Sequence, residues 1–133
     1  MRTDARILII EDNRENIELA DYLLRAHGYS PSLAMNGGEG LRLADQIAPD
    51  LILLDIRMPE MDGYEVASAI RSRPALKHTR IVAITASAMV DERQRITAAG
   101  FDGYIQKPIE PLLFIGQIEA LLAAPRVLPA TVA

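Results

Sequence analysis

The sequence predicts an α/β fold built on a parallel sheet with helices on both faces. Five short runs rich in Ile, Leu and Val alternate with stretches of helical period along the chain, as successive strand–helix units do. The strongest runs are apolar throughout, the pattern of strands buried on both faces. Right-handed crossovers between parallel strands then distribute the helices over both sides of the sheet.

The first strand is Arg6-Ile7-Leu8-Ile9-Ile10, ended by acidic residues. Asn13 is placed to cap a helix running to about His27, with Ile17, Ala20, Leu23 and Leu24 on one face and Gly28 as its stop. Tyr29 to Ala34 reads as a weaker strand, and its Pro31 suits an edge. A helix over Gly38 to Ile47 follows, with Leu41, Leu43, Ala44 and Ile47 recurring along it. Asp50-Leu51-Ile52-Leu53-Leu54-Asp55 is the most apolar strand and belongs at the sheet centre.

Arg57 to Gly63 carries Pro and Gly without period and is a loop. A helix from Tyr64 to about Arg73 leads to a fourth strand, Ile81-Val82-Ala83-Ile84. Ala88 to Ala99 is the next helix, stopped by Gly100. Tyr104-Ile105-Gln106 forms a short fifth strand, and Pro111 opens a closing helix to Ala124. Residues 1–124 therefore make one domain, and 125–133, with two prolines and no period, read as a loose tail.

A chain of 133 residues, half of them hydrophobic and 24% charged, fits a single folded domain. It has no cysteine, which excludes disulfides, thiolate metal sites and thiol nucleophiles. With only His27 and His78, a histidine-rich zinc site is disfavoured as well. The net charge of −4 disfavours direct binding to nucleic acid. No run approaches the roughly 18 apolar residues that cross a bilayer, and the N-terminus lacks the long apolar region of a signal peptide. A cytoplasmic protein is expected.

Ligands of open parallel sheets bind beyond the carboxyl ends of the strands. There the first strand ends in Glu11-Asp12, the third in Asp55, the fourth in Thr85, and the fifth runs into Lys107-Pro108. Taken singly, each has an ordinary structural role: a helix cap, a strand-end hydroxyl, a solvated charge. Taken together, from four separate strands, they converge on one rim. Lys107 is also one of only two lysines beside twelve arginines, which suits a position that needs a compact point charge. Crowded carboxylates stay anionic only beside a cation, and Mg²⁺ accepts carboxylates, waters and phosphate oxygens together. A carboxylate facing such a metal is a nucleophile toward phosphorus, with the metal and Lys107 neutralising the transferred group.

These residues, with Asp55-Ile56-Arg57-Met58-Pro59-Glu60-Met61-Asp62-Gly63, Thr85-Ala86 and Tyr104-Ile105-Gln106-Lys107-Pro108, resemble the receiver domains of two-component response regulators. The resemblance covers residues 6 to 124. It implies a flavodoxin-like, doubly wound sheet of five parallel strands in the order 2-1-3-4-5 with five helices. It implies phosphotransfer to Asp55 from a histidine kinase or a histidine phosphotransfer protein. Asp12, Asp55 and the Arg57 backbone carbonyl would bind Mg²⁺, with Glu11 acting through a water. Lys107 would hold phosphoryl oxygens, its bond to Pro108 would be cis, and Thr85 and Tyr104 would form the switch. Glu11 stands where Asp is more frequent in this family. Arg57 and Ser87 occupy positions where similar proteins vary the side chain that meets attacking water, so Arg57 is expected to shield the phosphoryl group.

With nine residues after the last helix, the expectation is a stand-alone regulator, monomeric or weakly dimeric, whose output is binding a downstream target protein. The stretch Ile84 to Met89 resembles small single-domain regulators of bacterial cell-cycle and developmental phosphorelays. Alternatives are a receiver-fold interaction module or a phosphorelay intermediate such as a hybrid-kinase receiver. A haloacid-dehalogenase-like phosphatase shares the strand-end Asp and Mg²⁺, but it carries a second Asp two residues on, where this chain has Arg57. Steady release of phosphate from p-nitrophenyl phosphate would support that enzyme.

Overall fold

The computed structural model describes residues 4–124; the expected tail, 125–133, lies outside the described residues. Five strands, β1 (Ile7–Ile10), β2 (Ser32–Ala34), β3 (Leu51–Asp55), β4 (Arg80–Thr85) and β5 (Gly103–Gln106), alternate with five helices. These are α1 (Arg14–Ala26), α2 (Gly37–Ile47), α3 (Gly63–Arg71), α4 (Val90–Ala98) and α5 (Pro111–Ala123). All strand pairs are parallel, in the order β2-β1-β3-β4-β5. The fold is the flavodoxin-like one, with β3 at its centre.

The period of two along each strand divides the core. Ile7, Ile9, Leu51, Leu53, Val82, Ile84 and Ile105 face α1 and α5, meeting Ile17, Leu24, Phe114 and Ile118. Leu8, Ile10, Ile52, Leu54, Ile81 and Ala83 face the other side, meeting Ala44, Val66, Ile70 and Ile96. Every residue of β3 is buried, as a central strand covered on both faces must be.

The elements differ from the sequence expectation mostly at their ends. β2 begins only at Ser32, because Pro31 has no N–H to give a ladder and the Tyr29 N–H turns back to Leu24. The third helix starts one residue early, at Gly63, where Asp62 and Glu65 form a reciprocal capping box. It ends at Arg71, and a 3₁₀ turn at Pro74–Leu76 follows, the Pro having no donor for a longer helix. α4 starts only at Val90, with extended Met89 as an N-cap that supplies no side-chain hydrogen bond. It buries one side chain, Ile96, whereas α1 buries four.

At the end of the sheet away from the strands' carboxyl termini, Arg71 gathers the chain. Its guanidinium donates to the carbonyls of Gly100 and Thr79 and to Asp102 Oδ2, at 2.7 to 3.1 Å. Asp102 Oδ2 also accepts from the Ile81 N–H at 2.8 Å. Gly100 sits at φ +91°, a backbone conformation that favours glycine, in the turn that links α4 to β5.

Candidate functional site

Register brings the expected residues level at one rim. Ile10 lies opposite Leu54, so Glu11 flanks Asp55. Asp55 lies opposite Ile84, one before Thr85, and Thr85 lies opposite Gln106, one before Lys107. Alternation then decides which side chains meet. Glu11, Asp55 and Lys107 continue the α1/α5 face of their strands, and Thr85 continues the other.

The first three do meet. Lys107 Nζ lies 3.2 Å from Asp55 Oδ1 and 3.2 Å from Glu11 Oε1. Asp55 Oδ1 also accepts from the Arg57 N–H at 3.2 Å. Asp12 completes an acidic cluster with Glu11 and Asp55, their ligand atoms all within 4.8 Å. The Lys107–Pro108 peptide is cis. Thr85 is buried at the end of β4, and its hydroxyl is engaged with the backbone N–H and carbonyl of Ser87, both at 3.1 Å. Tyr104 stands outward, 38% exposed. It lies on the Thr85 side of the sheet, with the small Ala83 beside it in the ladder.

Glu11 and Asp55 are nearly fully buried, at 1% and 2% exposure, and their electrostatics follow from that. Burial, then the hydrogen bond and charge of Asp55, push the Glu11 carboxyl up to about 7, against the opposing pull of Lys107. Burial works against a charged Lys107, but Asp55 and Glu11 outweigh it and hold its pKa above the ordinary value. A carboxyl raised on folding stabilises the native state below its unfolded pKa and ceases to do so as pH climbs through its folded one. In chelator, the metal-free protein is therefore expected to lose urea resistance between about pH 5 and pH 7.5. A midpoint that stays level across this window would show that Glu11 is already ionised at pH 5.

The donor set fits a hard divalent cation. Every candidate ligand is an oxygen, from the three carboxylates or the Arg57 backbone carbonyl. Three acids face one ammonium, leaving net negative charge, and the buried Glu11 Oε1 has the shared Lys107 ammonium at 3.2 Å but no well-formed hydrogen bond of its own.

The sequence did not reveal what lies beyond the Asp55 loop. A cavity of about 370 Å³ opens between that loop and α4, lined by Arg57, Met58, Asp62, Tyr64, Glu92 and Arg95. Arg95 Cζ sits 4.0 Å above the Tyr64 ring, and Tyr64 meets Phe101 edge-on with centroids 6.0 Å apart. These contacts join residues far apart in the chain, and no local pattern announces them. Gly63 was legible only as a loop glycine, although it opens α3.

Comparison with known proteins agrees with this geometry. Residues 7–119 match the sequence model of the response regulator receiver domain. The polar-differentiation response regulator DivK of Brucella anthropi is 40% identical over 116 residues, 87% of this chain and 94% of that protein. The chemotaxis protein CheY4 of Vibrio cholerae superposes with a TM-score of 0.84 at 27% identity, covering 88% of this chain and 98% of CheY4. The receiver domain of a Pseudomonas aeruginosa sensor histidine kinase superposes at 0.82 with 30% identity, over 90% of this chain and 98% of its own. That structure has a magnesium ion coordinated in its active site cleft.

Proposed function

The chain belongs to the response regulator receiver domain family, and from that premise we propose that it is a phosphorylation switch whose acceptor is Asp55. The observation that carries this reading is the meeting of Asp55 with Lys107, Glu11 and Asp12 at one buried rim. The donor is a histidine kinase or a histidine phosphotransfer protein. The chain acts as a cytoplasmic single-domain regulator, monomeric or weakly dimeric, that signals by binding a target protein rather than by turning over a substrate. DivK, a response regulator of similar length, supports that placement.

Asp12, Asp55, the Arg57 carbonyl and, through a water, Glu11 would hold Mg²⁺. When bound, that ion neutralises phosphoryl oxygens and orients them for in-line attack. Asp55 Oδ1 is occupied by Lys107 and the Arg57 N–H, so attack is assigned to its second oxygen. An O–P bond forms as the P–N bond to the donor imidazole breaks, and the electron pair leaves with that nitrogen, which takes a proton. Lys107 then pairs with the new oxygens, and the Thr85 hydroxyl turns from Ser87 to donate to them. Tyr104 moves into the space that Thr85 frees. The mark adds a charge of about −2 beside this pair, and α4 and its flanks re-pack in response.

The deciding experiment is incubation with Mg²⁺ and acetyl phosphate, followed by mass spectrometry. One phosphoryl addition that chelator abolishes is expected, and an unlabelled folded protein would refute the reading. Replacing Arg57 by Ala is expected to speed decay of the phosphoryl group about three- to tenfold, because the guanidinium no longer shields it from water. Unchanged decay would remove that role.

A further inference from the structure

The β3–α3 loop brings the start of a helix against the backbone of the acceptor residue. Gly63, the first residue of α3, donates its N–H to the Ile56 carbonyl at 2.9 Å. Its Cα faces the preceding peptide, Asp55–Ile56: a Cβ placed there would lie 2.6 Å from the Asp55 carbonyl oxygen and 2.8 Å from the Ile56 Cα. Both are backbone atoms, so no side-chain rotation relieves the contact. Any larger residue must move either α3 or the peptide that joins Asp55 to Ile56. α3 resists, because Asp62 and Glu65 cap it reciprocally and Val66, Ala67 and Ile70 are buried beneath it. The Asp55–Ile56 peptide is held as well, by the Ile56 N–H on the Ile84 carbonyl at 3.2 Å and by the buried Ile56 side chain, so the crowding falls on the joint between α3 and the acceptor residue.

We propose that Gly63 is a positioning residue for phosphotransfer: its missing side chain lets the N-terminus of α3 seat directly on the Asp55 backbone and so sets the acceptor carboxylate and the Arg57 carbonyl against Glu11 and Asp12. The inference rests on the functional reading of Asp55 given above. Two ligands of the expected ion flank the peptide that Gly63 touches, so its displacement spoils both at once. Displacing a reacting group by about 1 Å costs on the order of a hundredfold in rate.

The test compares Gly63→Ala with Gly103→Ala. Gly103 stands at the opposite end of the sheet, and a Cβ there would meet Leu121 Cδ2 at 2.6 Å, so it imposes crowding without reaching the site. Mg²⁺ affinity by calorimetry, acetyl phosphate labelling rate and urea midpoint are measured for both variants and the wild type. Gly63→Ala is expected to weaken Mg²⁺ binding and slow labelling by about tenfold or more each. Gly103→Ala is expected to lower the urea midpoint while keeping both within about twofold of wild type. A folded Gly63→Ala protein with wild-type Mg²⁺ affinity and labelling overturns the proposal. Should Gly63→Ala not fold, hydrogen exchange of the wild-type Gly63 amide decides: Mg²⁺ is expected to slow it several-fold, and an unchanged rate overturns the proposal. A wild type that takes up no label refutes the phosphotransfer reading, and Mg²⁺ affinity and amide exchange still judge Gly63 separately.

Discussion

Asp55→Asn is expected to take up no phosphoryl group from acetyl phosphate under conditions in which the wild type acquires one. The substitution changes little in shape, and the amide oxygen can still accept from the Lys107 ammonium and the Arg57 N–H that now meet Oδ1. What it removes is the anionic oxygen proposed to attack phosphorus, and a neutral amide is no substitute nucleophile. It also removes one of two buried carboxylates that crowd each other, so Glu11 is relieved of the Asp55 charge that raises its pKa. The variant should therefore fold at least as well as the wild type at neutral pH. Intact-mass spectrometry reads the label, and a urea titration on the same sample shows that the fold is intact. Labelling of Asp55→Asn at the wild-type rate would move the acceptor elsewhere.

The second large effect is on stability. Arg71→Ala is expected to lower unfolding free energy by about 2–3 kcal/mol, a fall of roughly 1–2 M in urea midpoint. The Arg71 side chain is 19% exposed and holds three partners in different segments: Gly100, Thr79 and Asp102. Truncation leaves two carbonyls short of a donor and Asp102 without its guanidinium. Surface pairs such as Arg25 with Asp21, at 54% and 23% exposure, are worth a fraction of that. A midpoint unchanged on Arg71→Ala would show that water replaces the guanidinium without cost.

The order of elements and the rim residues were legible because both follow from short-range rules. Apolar runs mark strands, parallel crossovers align their carboxyl ends, and Glu11, Asp55 and Lys107 share a face through the two-residue alternation of strands. The same alternation, applied to Thr85, explains why its hydroxyl sits with Ser87 and apart from the carboxylates. Helix starts were less legible. Ala88 and Met89 have helix-compatible side chains, yet the helix begins only at Val90 and Met89 before it is extended. Least legible was Gly63, because its role depends on how closely α3 approaches the end of β3, and a sequence pattern carries no such distance. The Arg95–Tyr64 stack was hidden for the same reason.

The uneven anchoring of α4 has a consequence for how the molecule spends its thermal energy. Its first turn lacks a side-chain cap, its single buried residue lies in its second half, and the following turn is gripped through Gly100 by Arg71. A helix anchored in this way is expected to behave as a cantilever, quieter at its clamped end than at the other. Amide exchange should therefore grade along its length, fastest near Val90.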